Sequence, residues 1–241
     1  MTWAVSLDFH NTLVHCDAWF NLEVYDLIPA FLEWRRSTLG IRADPDQIDA
    51  GKQHYLKLRR RVIDTGIELD AASAVAEVVT YLGLTVEAAE IARALDDIFR
   101  PTVTETASLP GAVESVWQLH AAGVRLVVVS SAAYHPFLEW TLDKLGIAGC
   151  FEVILTSAST GHYKSSTRIY EAAAAMLDIK PGNCIHIGDS ERFDVLPANA
   201  VGMRTVLVGN ESGRSIADVR LPTLDGLPQV LQREFGLPLA L

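Results

Sequence analysis

Apolar residues follow two different periods along this chain, and the change of period divides it. Near the N-terminus, Ala4-Val5-Ser6-Leu7 runs into Asp8-Phe9-His10-Asn11-Thr12 before Leu13 and Val14 resume. So short an apolar run, closed by polar residues, predicts a buried strand that presents Asp8 at its C-terminal end. From Asp17, a candidate N-cap, Trp19, Leu22, Val24, Leu27, Ile28, Phe31 and Leu32 recur at helical spacing before Gly40. Asp44-Pro45-Asp46-Gln47 places Pro first in a helix and Gln where it completes a capping box, and this helix should run to Thr65-Gly66. Asp70 and Thr85 are candidate caps for two more helices, ending near Gly83 and Arg100-Pro101. Helices in such succession cannot each bury a stripe alone, so they should form a small bundle with its open edge over any site at the strand ends.

Leu109-Pro110-Gly111 opens a helix through His120, and the period then alternates. Strands are predicted over 124–129, 151–155, 183–187 and 204–208, and helices over 136–145, 166–177 and 193–200, with a last amphipathic helix over 225–235. Strand and helix in alternation mean βαβ units and a parallel sheet. The fold class is therefore α/β, a doubly wound Rossmann-like core with an inserted all-helical domain. No internal repeat and no low-complexity linker interrupts it.

Composition mainly excludes. The 241 residues are 49% hydrophobic, enough for a sizeable core, and carry a net charge of -10. That charge disfavours nucleic acid and anionic membrane as partners. No 18-residue apolar run occurs and no basic segment leads into an apolar one at the N-terminus, so the sequence reads as a soluble, cytoplasmic protein. Cys16, Cys150 and Cys184 are odd in number and scattered, which fits neither a disulfide framework nor a zinc site. They read as reduced thiols, with Cys16 nearest the chemistry. Lys52, Lys57 and Arg59-Arg60-Arg61 make one helix basic; they form either a solvated face or a field that attracts anions.

The chemistry lies at two strand ends. Downstream, Cys184-Ile185-His186-Ile187-Gly188 closes on Asp189, with Asp194 shortly after. In an open parallel sheet both ends lie on one edge, where ligands bind. Asp8 alone could simply cap the next turn. Three carboxylates gathered at one edge would repel and desolvate one another unless a positive group sat between them, and a hard divalent ion is the usual answer.

With Asp8, Ser130, Lys164 and Asp189/Asp194 in that order, the chain resembles the haloacid dehalogenase-like hydrolase superfamily, in its branch with a helical cap between the first two motifs. The resemblance implies a core of residues 1–15 and 109–241 and a cap of residues 16–108. It implies Asp8 as nucleophile and Mg²⁺ ligand, Ser130 as a donor to a phosphoryl oxygen, and Lys164 as a neutralising charge. Asp189 would complete the metal shell, Asp194 would bind through water or orient Lys164, and the backbone carbonyl of His10 would be a further ligand. Trp19 and Phe20 either wall the substrate pocket or belong to the bundle core.

Three positions depart from the relatives' pattern. Ser131 stands where Asn is frequent, which puts side-chain substrate contacts there in question, and Ser165 stands where Pro is common. His10 replaces a second Asp that serves as acid and base; an imidazole can do such work near neutral pH, or the role has been lost. The function expected is a Mg²⁺-dependent phosphatase of small phosphorylated metabolites acting through an aspartyl-phosphate on Asp8. The alternatives are a metal-free 2-haloacid dehalogenase, which usually has Ser or Asn near Asp189, and a non-catalytic phosphate-binding module. Neither the particular substrate nor the oligomeric state is written in these motifs.

Overall fold

The computed structural model describes residues 3–209 and 213–239. Six strands form one parallel sheet: β1 (Ala4–Leu7), β4 (Arg125–Ser130), β5 (Val153–Thr156), β6 (Cys184–Gly188), β7 (Arg204–Val208) and β8 (Val219–Leu221), in the order β5-β4-β1-β6-β7-β8. Period-2 alternation sends Val5, Leu7, Leu126, Val128, Ile185 and Ile187 to one face. They pack there with α7 (Ala112–Ala121), α8 (His135–Lys144) and α12 (Leu227–Phe235). Ala4, Val127 and Val129 point to the other face, against α10 (Arg168–Met176) and α11 (Leu196–Ala200). A short helix, α9 (Ser157–Thr160), follows β5. The doubly wound α/β architecture is thus observed. The strand β8 is additional to the sequence reading: three residues on a sheet edge, half-buried Val219 and Leu221 about an exposed Arg220, are too short a run to leave a periodic signal.

The helices between β1 and α7 are α1 (Asp17–Asn21), α2 (Leu27–Leu39), α3 (Pro45–Thr65), α4 (Ala71–Tyr81), α5 (Ala88–Phe99) and α6 (Thr102–Glu105). The capping box at Asp44 and Gln47 forms as the sequence suggests. Two caps differ. Cys16, not Asp17, caps α1, its sulfur accepting the Trp19 N–H at 3.5 Å; the fourth long helix starts after Glu87, not Thr85. A π turn at Leu22–Asp26 joins α1 to α2. The basic stretch on α3 also divides: Lys57, Arg60 and Arg61 are exposed, whereas Arg59 is buried and paired with Glu68 at 2.6 Å.

The chain enters and leaves this helical segment through a small antiparallel pair, β2 (Val14–His15) with β3 (Ala107–Ser108). Lys144 of α8 fastens the exit by donating to the carbonyls of Val103, Thr104 and Thr106 at 2.8, 3.1 and 2.9 Å. Backbone bonds tie the far end of α3 to the sheet side: Tyr163 N–H to Gly66 O at 3.0 Å and Glu68 N–H to Gly161 O at 2.9 Å. Gly66 has φ +69°, and a Cβ there would come within 2.7 Å of Ser166 Cβ, so only glycine allows this approach. Among the described residues no helix is long and apolar enough to cross a membrane.

Candidate active site

The adjacency of β4, β1 and β6 decides what meets what. Ser130 ends β4, Asp8 follows β1 and Asp189 follows β6, so three neighbouring strands deliver them to one edge. After Asp8 the chain folds into a tight turn in which Leu13 and Val14 N–H both bond Phe9 O. Asn11 takes φ 62°, a conformation Asn tolerates, and its side chain is bonded to His15 Nδ1 at 2.8 Å. Thr12 donates to Asp8 Oδ2 at 3.1 Å. Beyond β6, Ser190 caps a π turn (Glu191–Val195) by accepting the Phe193 N–H at 3.2 Å, and that turn swings Asp194 back toward the sheet. A Cβ on Gly188 would lie 2.2 Å from Asp194 Cγ, so glycine at the strand end is what lets Asp194 in.

Lys164 lies between two carboxylates, its Nζ 2.6 Å from Asp8 Oδ1 and 2.5 Å from Asp194 Oδ1. Asp194 also accepts from Ser190 N–H at 3.0 Å and is bonded to His186 Nε2 at 3.0 Å. Burial would raise Asp194, but Lys164 and His186 more than offset it and hold the carboxyl well below the usual range. Burial would likewise lower Lys164, yet Asp194 and Asp8 keep it charged far above its ordinary value. Asp8 is pushed up by burial and by Asp194, with Lys164 pulling the other way. Among the described residues no cation is paired with Asp189: burial, Asp8 and Asp194 push it up to about 7 against the weaker pull of Lys164.

One ligand atom from each of Asp8, Asp189 and Asp194 falls within 4.8 Å of the others. With all three ionised, Lys164 supplies one of the three positive charges needed. The donor set is all oxygen and the remaining deficit is two charges, which fits a hard divalent ion such as Mg²⁺.

Above this cluster is a cavity of about 370 Å³. Asp8, Ser130, Ser131, Lys164, Asp189 and Asp194 line it from the sheet side, and Trp19, Phe20, Glu23, Val24, Arg59 and Ile63 from the helical segment. All the sequence-derived site residues therefore meet at one place. Ser131 does structural work as well, its Oγ accepting the Lys164 N–H at 3.2 Å. Trp19 is buried and stacked on Phe137 at 4.9 Å, while Phe20 stays partly exposed and stacks on His10 at 5.2 Å. His10 lies between Phe20 and His15, and its Nε2 accepts the Cys16 N–H at 3.3 Å. A neutral ring so bonded carries its proton on Nδ1. Burial foremost, then the charge of His15, lowers His10 to about 4. The thiol of Cys16 faces Thr102 O at 3.4 Å and caps α1, a structural place.

Several contributors escape a sequence reading. Glu23 and Arg59 sit in helical periodicity and read as surface; His186 reads as strand core. Gly188 was legible only as part of a Gly-Asp pair, and Asn11 and Thr12 only as turn residues.

Comparison with known proteins gives the family and the fold. The family model for haloacid dehalogenase-like hydrolases matches residues 4–202. A ribulose-1,5-bisphosphate 5-phosphatase of Halopiger xanaduensis is 32% identical over 117 residues, 48% of this chain and 48% of that one. A glyceraldehyde 3-phosphate phosphatase of Methanothermobacter thermautotrophicus is 31% identical over 103 residues, 42% of this chain and 45% of its own. In each case the match spans about half the length of the relative. Among solved structures, a 2-haloacid dehalogenase from Pseudomonas syringae pv. Tomato superposes with a TM-score of 0.69 at 17% identity, covering 97% of this chain and 99% of that one. At such identity the likeness concerns the fold.

Proposed function

Because the chain belongs to the haloacid dehalogenase-like hydrolases, we propose that it hydrolyses phosphate monoesters of small metabolites with Asp8 as nucleophile and Mg²⁺ as cofactor. The observation that carries this reading is Asp189, placed with Asp8 and Asp194 in one cluster of carboxylates. Displacement of halide from a haloacid would need no such cluster, whereas attack of a carboxylate on a phosphoryl group requires negative charge to be neutralised. Residues 1–15 and 109–241 then act as the catalytic core and residues 16–108 as a cap that closes the cavity. The names of the phosphatase relatives, which refer to phosphorylated sugars, support the same substrate class.

In this reading an Asp8 oxygen bonds to phosphorus as the ester P–O bond breaks, and water then cleaves the aspartyl-phosphate. Lys164 keeps Asp8 oriented and offsets its charge, and the Ser130 hydroxyl donates to a phosphoryl oxygen. Asp8, Asp189 and Asp194, with the His10 carbonyl, would hold Mg²⁺, directly or through water; when bound it supplies electrostatic stabilisation of the transferring group. A screen of phosphate monoesters and 2-haloacids, each with Mg²⁺ and with EDTA, tests the proposal. Mg²⁺-dependent phosphate release is the expected result. Halide release undiminished in EDTA would replace it with the dehalogenase reading.

A further inference from the structure

The ammonium of Lys164 is bonded to Asp8 and Asp194, but its backbone ends a stretch, residues 157–164, that has already left the sheet. The pairing of β4 with β5 stops at Ser130 and Thr156, so other bonds decide where this stretch lies. Some come from the loop after β4: Ala158 N–H donates to Ala132 O at 3.1 Å, and Lys164 N–H to Ser131 Oγ at 3.2 Å. Others come from the helical segment, at the turn after α3. There Glu68 N–H donates to Gly161 O and Tyr163 N–H to Gly66 O, an antiparallel bridge of Ile67 with His162 two residues before Lys164. The Glu68 carboxylate reaches the opposite end of the stretch, where its Oε2 accepts the hydroxyl of the buried Ser157. Glu68 is itself fixed. Its side chain is 1% exposed, and Oε1 accepts from Arg59 Nη1 at 2.6 Å and from Leu69 N–H at 2.9 Å. A buried carboxylate bonded through both oxygens makes a stiff joint, because parting from either partner leaves polar atoms unanswered away from water.

We propose that Glu68 is a positioning residue for Lys164: through Ser157 and the bridge of Ile67 with His162 it fixes the stretch that ends in the ammonium beside Asp8. The chemical step then depends on a carboxylate of the helical segment that does not itself line the cavity. The inference rests on the phosphatase reading above and adds a residue to it. Groups that do chemistry must be held within about 0.5 Å of their productive place, and a misplacement of about 1 Å can cost roughly 10²-fold. The Lys164 side chain is flexible and keeps both carboxylate partners, so it would follow them in part. A loss of about tenfold is therefore expected when the joint is cut.

The test uses the Mg²⁺-loaded full chain with two esters of different shape, phenyl phosphate and acetyl phosphate. Ser157→Ala removes the hydroxyl and leaves the pair of Arg59 and Glu68 whole, and Glu68→Ala removes the joint. Each should lower kcat by roughly tenfold for both esters while KM moves by less than about threefold. Lys144→Met is the control: it cuts a tie to the same helical segment, at the carbonyls of Val103, Thr104 and Thr106, that does not lead to Lys164. It should lower Tm yet leave kcat within about twofold of wild type. Should Glu68→Ala fail to fold, Ser157→Ala decides alone. A folded Ser157→Ala variant with kcat within about twofold of wild type overturns the proposal. So does a loss confined to KM or to one ester, which would make Glu68 a support of the cavity wall, or an equal fall in Lys144→Met, which would make it one structural tie among others. A wild type that turns over no phosphate ester overturns the phosphatase reading itself, and the role of Glu68 in it.

Discussion

His186 Nε2 lies 3.0 Å from Asp194 Oδ1, the same oxygen that receives Lys164 Nζ. Since Asp194 is held ionised, the ring donates to it, and its Nδ1 is left to accept from the Ser6 hydroxyl at 2.9 Å. A buried chain Ser6–His186–Asp194–Lys164–Asp8 thus runs from the strand interior to the nucleophile. His186→Leu removes the donor while keeping an apolar filling. Outer partners of metal-binding carboxylates typically contribute 10- to 100-fold in affinity, so Mg²⁺ binding by calorimetry should weaken by about that factor. Undiminished Mg²⁺ affinity would mean that Lys164 and Ser190 hold Asp194 unaided.

Asp8→Asn should remove turnover by at least roughly 10³-fold, since an amide of the same shape is a poor nucleophile. Lys164 keeps its bond to Asp194, so the fold and melting temperature should survive. Activity within tenfold of wild type in a verified variant would take Asp8 out of the mechanism.

Chelation should both stop turnover and destabilise the protein. Among the described residues the carboxylates of Asp8, Asp189 and Asp194 outnumber the cation Lys164, and Asp189 has no ion pair with it. Mg²⁺ at about 100 times its dissociation constant would add roughly 2.7 kcal/mol to folding, visible as a higher Tm than in EDTA. Asp189→Asn should largely cancel that difference. A Tm indifferent to Mg²⁺ in wild type speaks against the metal site.

The core of this site was readable because buried parallel strands are largely apolar and runs of polar residues begin where they end. Asp8, Ser130 and Asp189 each stand at such a boundary, and Lys164 and Asp194 follow in order. The cavity wall was not readable in the same way. Glu23 has the helical spacing of a surface residue, yet it is buried and its carboxyl accepts from Ala133, far off in sequence. Arg59 looked like one more cation in a basic run until Glu68 folded against it. His186 is apolar-flanked strand interior by pattern, and only its pairing with Ser6 across β1 and β6 reveals what its ring bonds. Local pattern marks where side chains emerge from strands; which helix residues turn inward depends on contacts between distant segments.

Glu23 should leave a mark on stability against pH. Its folded value, about 7, lies above its ordinary 4.5, so between those values the folded state retains a proton that the unfolded chain has released. Stability must therefore fall as pH rises through that window, by up to about 3 kcal/mol for a shift of this size. Below the window the carboxyl is protonated in both states and contributes no such loss. Glu23→Gln should flatten the decline, seen as a wild-type-minus-variant difference in urea unfolding that grows from about pH 5 to 8. A difference constant with pH would show that the carboxyl is hydrated or paired when folded.

The last prediction concerns the leaving group. At the position where the resemblance implies a carboxyl that protonates the departing oxygen, this chain has His10, whose Nε2 already accepts the Cys16 N–H and whose ring is stacked between Phe20 and His15. A neutral imidazole so held has only its Nδ1 proton, and it surrenders that proton far too reluctantly to serve as an acid. Esters whose leaving group is stable as an anion, such as aryl phosphates with phenol-like pKa near 10 or acyl phosphates, need no acid. They should outpace alkyl phosphates by much of the roughly 10² to 10⁴ that general acid catalysis contributes. His10→Asp restores a carboxyl beside other negative groups, which favour its protonated form, and should narrow the gap mainly by raising the alkyl rate. Measuring kcat/KM for one aryl and one alkyl phosphate in both proteins decides between the roles: equal rates in wild type would make His10 a competent acid, and a ratio unmoved by His10→Asp would place the acid elsewhere in the site.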